Sequence, residues 1–449
     1  LGYIAIYING GGDVSEMMTT IATFGVAAIR VLPSVNRINT YITEIAYATP
    51  SLNFVYENLQ QGMKTDAMLA ERRANSQKEK LKLEDKIELN HITFHYPDSD
   101  KHIFTDAHMI VPKGKSVGIM GPSGAGKSTI LKSITRQLSL IAGTVYIDQK
   151  SIKEMTEKDT AKKMAVVLTE RIRPELMTCE DVVNTGRYPY TGRLGILSEE
   201  DHQKVREAMK LVHASELADC DFSAISDGQR QRVMLARAIC QEPEVIVLDE
   251  PTSFLDIRHK LELLSILKKM VLEHHTAVLM SLHELDLAQK ISDYVICVHG
   301  DRIEKYGTPE EIFTSEYIHH LYGITTGSYN ASFGCLEMGA PAGKPQVFVI
   351  GGNGRGIPVY RKLQRAGIPF IAGVIHSNDL DYDVAKALAA EVISEEPFEA
   401  ITEEHLEKAE KMMDGCAEVI CCVDKFGTMN AANQRLVEKA KRDGKLKTE

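Results

Sequence analysis

The segment Gly121-Pro-Ser-Gly-Ala-Gly-Lys-Ser-Thr129 limits what this chain can fold into more than any other stretch, because it dictates three elements at once. It matches G-x-x-x-x-G-K-[ST] and follows the apolar run SVGIM, so a buried strand must enter the turn and a helix must leave it. Gly121, Gly124 and Gly126 let successive backbone N–H groups converge on phosphate oxygens at that helix N-terminus, with Pro122, Ser123, Ala125 and Thr129 completing the loop. Lys127 brings a compact positive charge, and Ser128 offers a hydroxyl to Mg²⁺. A glycine-rich turn without a ligand is the alternative, and the strand before and helix after argue against it.

Downstream, Val245-Ile-Val-Leu-Asp-Glu250 is four apolar residues followed by two carboxylates. A buried strand that ends in acids places them at the carboxyl edge of a parallel sheet, where ligands of such folds bind. There Asp249 suits a hold on Mg²⁺ and Glu250 suits polarisation of an attacking water; helix capping is the plainer role for such a pair. Between the two motifs lies Ile225-Ser-Asp-Gly-Gln-Arg-Gln-Arg-Val233, in which Ser226 and Asp227 cap a helix through RVMLARAIC. Its start is either an ordinary cap or a second phosphate site, with Ser226 and the Gly228 amide facing a γ-phosphate beside Gln229.

The wider pattern sets the fold class as α/β. Short apolar strands are expected at 87 to 94, 116 to 120, 144 to 147, 164 to 168, 244 to 248, 277 to 281 and 294 to 298, alternating with amphipathic helices around a largely parallel sheet. After MGAPAGKP a small Rossmann-like domain, 340 to 449, is expected: strands 347 to 351 and 370 to 375, helices YDVAKALAAEVI and EEHLEKAEKMM, and strand AEVICCV. Its loop Gly351-Gly-Asn-Gly-Arg-Gly356 approaches a dinucleotide loop, but Ile357 stands where the third glycine of G-x-G-x-x-G belongs.

Residues 3 to 8 and 17 to 32 are apolar, yet neither gives an unbroken run of the ~20 residues that span a bilayer, and Arg30 and Pro33 are expected to close the second. Residues 1 to 60 therefore read as partial membrane-domain helices or a buried helical pair, and 61 to 83 as a charged linker. No secretory signal is expected. The 52 basic against 62 acidic residues give a net −10, which offers no basic field to hold nucleic acid. Eight cysteines without CxxC spacing point to a reducing compartment; Cys416, Cys421 and Cys422 read as buried strand thiols, with soft-metal ligation the alternative.

The order of phosphate loop, SDGQRQR, VIVLDEPTS, SFLD and SLHE resembles the ATP-binding cassette of ABC transporters over residues 84 to 325. The resemblance implies a P-loop NTPase cassette with a helical subdomain that hydrolyses ATP with Mg²⁺. It implies that Tyr96 stacks on adenine, that Ser253 to Asp256 carries signals across a dimer interface, and that His283 contacts the γ-phosphate. It further implies that the SDGQ helix of one subunit faces the phosphate loop of another, so that a second cassette, a copy of this chain or a related subunit, completes each site. Transmembrane permease subunits, a substrate-binding protein and a place on the cytoplasmic face of the membrane follow from the same likeness. One position departs: where the family has a Mg²⁺-touching glutamine, this chain reads Thr169-Glu170, and an ionised carboxylate can ligate Mg²⁺ but cannot donate a hydrogen bond.

The likeness also divides. Residues 1 to about 130 resemble the membrane-helix end and cassette start of an ABC exporter, whereas TRQL, VNTGRYPYTG and SLHELDLAQKISD resemble ATPase subunits of importers for iron siderophores, haem or cobalamin. A mosaic is expected, with import of such a chelate as its function. The alternatives are an exporter or flippase ATPase for lipid-linked or hydrophobic cargo, and a regulatory ATP-sensing protein.

Overall fold

The computed structural model describes residues 18–43, 49, 85–96, 102–168, 174, 176–192, 195–253 and 255–447. Its contacts divide the chain into two units, Leu1–Leu81 and Lys82–Glu449. In the first unit a helix runs Met18–Thr43, 26 residues that include an 18-residue stretch of mean hydropathy 1.5, and its residues are exposed. The expected stop at Arg30 and Pro33 is corrected: the helix passes through both. A proline removes one amide bond from a helix without forbidding its continuation. At 1.5 Å per residue the helix is ~39 Å long, enough by length and composition to cross a bilayer. Of the helical reading to residue 60, the part through Thr43 belongs to this helix; beyond it, apart from Thr49, the remainder and the charged linker 61 to 83 lie outside the described residues.

The second unit is built on a six-stranded sheet in the order Arg302–Gly307, Tyr294–His299, Ser116–Met120, Ala277–Ser281, Val245–Leu248, Met164–Val167. All neighbours are parallel except the hairpin of the first two. The strands SVGIM, VIVL and AVLMS are buried at every residue, which is why they read as continuous apolar runs and not as alternation. One face packs on a core that includes Phe104, Val145, Ile130 and Leu131; the other packs on the helices Cys179–Asn184, Glu199–Leu211 and Asp227–Cys240. An antiparallel sheet orders His102–Pro112, Lys86–His95, Ala142–Ile147 and Lys150–Ser151.

A five-stranded parallel sheet follows, Glu391–Glu395, Phe370–His376, Val347–Ile350, Glu418–Cys421, Leu446–Lys447. Here the expected helix YDVAKALAAEVI is cut short: it spans Leu380–Leu388, and Glu391–Glu395 is a strand. The β-branched Val392 and Ile393 join the sheet beside Phe370–His376, with Ile371 opposite Glu391.

Candidate nucleotide site

The strand Ser116–Met120 delivers the glycine loop to the carboxyl edge of the six-stranded sheet, and the helix Lys127–Ile134 leaves it. Gly126 caps that helix at φ +91° with no side-chain cap, so the first amides of the helix stay open toward an anion. Two contacts force glycine: a Cβ on Gly121 would meet the Val298 carbonyl oxygen at 2.2 Å, and one on Gly126 would meet Ile103 Cγ2 at 2.7 Å. Lys127 is buried and folds back over the loop, its Nζ donating to the carbonyls of Gly121 at 2.8 Å and Pro122 at 2.9 Å. Burial pushes its ammonium down, against the pull of Glu250 and Asp249.

The acidic pair of VIVLDE meets this helix. Ser128 Oγ donates to Asp249 Oδ1 at 3.0 Å. The His283 ring nitrogen Nε2 lies 2.6 Å from Glu250 Oε1, and Ser253 Oγ donates to the other Glu250 oxygen at 3.1 Å. Glu250 itself sits at φ +48°, a left-handed conformation at the point where the strand turns away. Ser281, wholly buried at the end of the neighbouring strand, ties the pair together: its hydroxyl donates to Asp249 Oδ1 at 2.7 Å and accepts the Glu250 amide at 2.8 Å. Ser281 escaped the reading of the sequence, although its signal was available: a hydroxyl closing the otherwise apolar run AVLMS two residues before the switch-like histidine. Glu284 was missed as well; it accepts from Thr252 Oγ1 at 2.7 Å and from Lys260 Nζ at 2.6 Å, joining the loop after Glu250 to the helix Ile257–His274.

A second group gathers at the start of the helix Asp227–Cys240. Ser226 and Gln229 form a reciprocal capping box, the Gln229 amide donating to Ser226 Oγ and the Ser226 amide to Gln229 Oε1. Arg230 holds Asp227 at 2.7 Å, and the Gly228 Cα faces Leu255 and His259. Asp256 caps the helix Ile257–His274, and the His259 amide it accepts holds its carboxyl below the usual range. Gln231 Nε2 donates to the Pro251 carbonyl, so this group and the acidic pair share one scaffold. Tyr96 lies apart from both groups' charges, 42% exposed, its hydroxyl 3.3 Å from Thr129 Oγ1 and its ring edge-on to Phe94. Glu170 lies outside the described residues.

The glycine loop of the C-terminal sheet behaves differently. The carboxylate of Asp381, fully buried, accepts the amides of Gly352, Gly356 and Ile357, and Asp379 accepts that of Asn353 at 2.8 Å. The donors a phosphate would use are thus held by acids of the same chain. Burial pushes the Asp381 carboxyl up, against the amides that favour its charge.

The sequence profile of the ABC transporter family matches residues 104–253, and that of the MJ0874 family matches residues 370–447. An uncharacterized ABC transporter ATP-binding protein of Methanocaldococcus jannaschii is 41% identical over 264 residues, covering 59% of this chain and 91% of that protein. The iron(3+)-hydroxamate import ATP-binding protein of Bacillus subtilis is 37% identical over 50% of this chain and 84% of its own length. A cobalamin import ATP-binding protein of Halobacterium salinarum is 30% identical over 71% of this chain and 81% of its length. Among solved structures, an inward-facing metal-chelate type ABC transporter is 25% identical over 53% of this chain and 89% of that chain, with a TM-score of 0.47. The expected change of relative near residue 130 is not borne out: the family profile runs unbroken across it, within 104–253.

Proposed function

Since this chain belongs to the ABC transporter ATP-binding family and is an ATPase of that kind, we propose that it powers uptake of a metal chelate, of the iron-siderophore or cobalamin class, from the cytoplasmic face of a membrane. The cargo class rests on the hydroxamate and cobalamin importers among its relatives. Permease subunits supply the path and a substrate-binding protein delivers the chelate. The cassette is taken as residues 84 to 325 and the C-terminal domain as 340 to 449.

The observation that carries the mechanism is the convergence of Ser128, Asp249, Glu250 and His283 in one hydrogen-bonded chain at the open N-terminus of the helix Lys127–Ile134. The loop amides and Lys127 hold the phosphates, at the cost to Lys127 of its two carbonyl contacts. The Ser128 hydroxyl and the Asp249 carboxylate are hard oxygen donors close together, which fits Mg²⁺. When bound, that ion neutralises charge on the terminal phosphates. Glu250 accepts a hydrogen bond from the attacking water, with His283 and Ser253 fixing its two oxygens. Tyr96 offers an exposed ring to adenine, and Ser226, Asp227, Gly228, Gln229 and Asp256 serve the phosphates and the interface of a second copy. Glu170 is proposed as a further oxygen ligand.

Glu250→Gln tests the chemistry: ATP binding persists, turnover falls by ~10²-fold or more, and an ATP-bound dimer accumulates in sedimentation. Unchanged turnover removes Glu250 from the mechanism. Reconstitution with candidate permease subunits in vesicles, read as ATP-driven accumulation of a ferric hydroxamate or a corrin, tests the cargo; net export overturns the direction.

A further inference from the structure

The hairpin at the edge of the six-stranded sheet carries a donor set that ATP chemistry does not use. His299 ends the strand Tyr294–His299, Glu304 lies in the returning strand Arg302–Gly307, and His320 lies on the helix Ser315–Tyr322. His299 Nδ1 is 2.9 Å from Glu304 Oε2, and His320 Nε2 is 2.9 Å from Glu304 Oε1. The two rings stand nearly perpendicular, 5.3 Å apart, and one ligand atom from each of the three residues lies within 4.8 Å of the others. Two neighbouring ligands each about 2.1 Å from a first-row ion are about 3.0 Å apart in an octahedral shell and about 3.4 Å apart in a tetrahedral one, so these nitrogen–oxygen edges need open by at most about 0.5 Å to take an ion.

We propose that His299, Glu304 and His320 form a binding site for a divalent transition-metal ion of the zinc or ferrous class. Two imidazoles and one carboxylate suit such ions, whereas Mg²⁺ and Ca²⁺ favour oxygen throughout. The imidazoles are 44% and 58% exposed, so an ion from solution reaches them and water completes its shell. Lys305 is turned elsewhere, its Nζ donating to the Glu311 carbonyl and lying over the Tyr317 ring, which leaves Glu304 to the two imidazoles.

The position gives the site a route to the nucleotide. Cys297 pairs in parallel with Met120, and the carbonyl of Val298 is the one lying against Gly121. The strand that His299 ends is therefore the floor of the phosphate loop. An ion that also takes His320 ties this floor to the helix Ser315–Tyr322.

The test uses the full chain, stripped with chelator and titrated with Co²⁺, which stands in for zinc and absorbs visibly. The expected result is a bound cobalt with the spectrum of nitrogen and oxygen ligation and a melting temperature raised by the metal. His299→Ala and His320→Ala each weaken that binding at least tenfold and lose the melting shift, while melting like wild type in chelator. Glu304→Gln, which keeps the shape of the side chain, also weakens it. The proposal is overturned if wild type takes up no cobalt, if His320→Ala binds it unchanged, or if the spectrum shows thiolate charge transfer, which would put the ion on cysteines.

Discussion

Replacing Ser281 by alanine should damage both the stability and the chemistry of the cassette, though Ser281 is placed to touch neither nucleotide nor metal. Its hydroxyl is fully buried and makes two bonds, donating to Asp249 Oδ1 at 2.7 Å and accepting the Glu250 amide at 2.8 Å. A hydrogen bond to an ionised carboxylate is worth about 1.5–3 kcal/mol, and a buried amide left without an acceptor costs about 1–3 kcal/mol. A water drawn into the vacated space recovers part of this, so the expected loss is about 3 kcal/mol. The same change frees the Glu250 backbone and one Asp249 oxygen, so kcat should fall ~10-fold or more while KM for ATP moves less. Denaturant unfolding of the cassette and steady-state ATPase kinetics read the two effects. A shift within ~0.5 kcal/mol together with unchanged kcat would refute the idea that Ser281 aligns the acidic pair.

Three further outcomes are expected. Lys127→Ala should weaken ATP binding to the monomer, while Ser226→Arg should leave that binding intact and block ATP-driven dimerisation; nucleotide titration and sedimentation separate them, and a wild type that never dimerises with ATP sinks the shared-site reading. Arg187→Ala should cost about 3 kcal/mol in denaturant unfolding, because buried Arg187 bridges Asp201, the Cys240 carbonyl and Glu242; burial pushes the Asp201 carboxyl up, the Ser198 hydroxyl and amide and then Arg187 pull it down to about 2, and the substitution leaves one of its two oxygens without a partner. In the C-terminal domain, burial pushes the Glu395 carboxyl up, but bonds from the Thr402 amide and hydroxyl, His405 and the Glu396 amide pull it down to about 2 from an ordinary 4.5. Its stabilisation, about 3 kcal/mol, is full above pH 4.5 and is lost as pH falls toward 2; acid unfolding should show this, and Glu395→Gln should flatten the profile.

Strands buried on both faces were the most legible in the amino-acid sequence. Residues 116 to 120, 245 to 248 and 277 to 281 show as apolar runs because nothing polar can enter them except at their ends. The strand His102–Pro112 was missed for the opposite reason: its alternation of buried and exposed residues is interrupted at Thr105–Asp106, and its ladder to Lys86–His95 shifts register three times. Glu391–Glu395 was absorbed into a helix because ALAAEVI carries helix formers on one side and β-branched residues on the other, and only the open place beside Phe370–His376 decides between them. At the site, glycine, lysine and acid spacings are local and could be read directly. Ser281 and Glu284 act through partners some 30 residues away in sequence, Asp249 for one and Thr252 for the other, and no local pattern announces such pairs.

The carboxylate of Asp381 bears on how the chain distinguishes its two glycine loops. A tethered group competes for a site at an effective concentration of millimolar order or above, set by the short chain that carries it and not by the cell. A free phosphate compound must outbid that resident at Gly352, Gly356 and Ile357, and must also displace Asp379, a second anion, from the Asn353 amide. At Gly121 to Thr129 no carboxylate of this kind is seated on the glycine amides among the described residues; the Lys127 ammonium that lies there on two carbonyls is a cation that a phosphate attracts. Two loops of similar lettering thus differ in threshold: one answers to ambient nucleotide, while the other is already saturated from within.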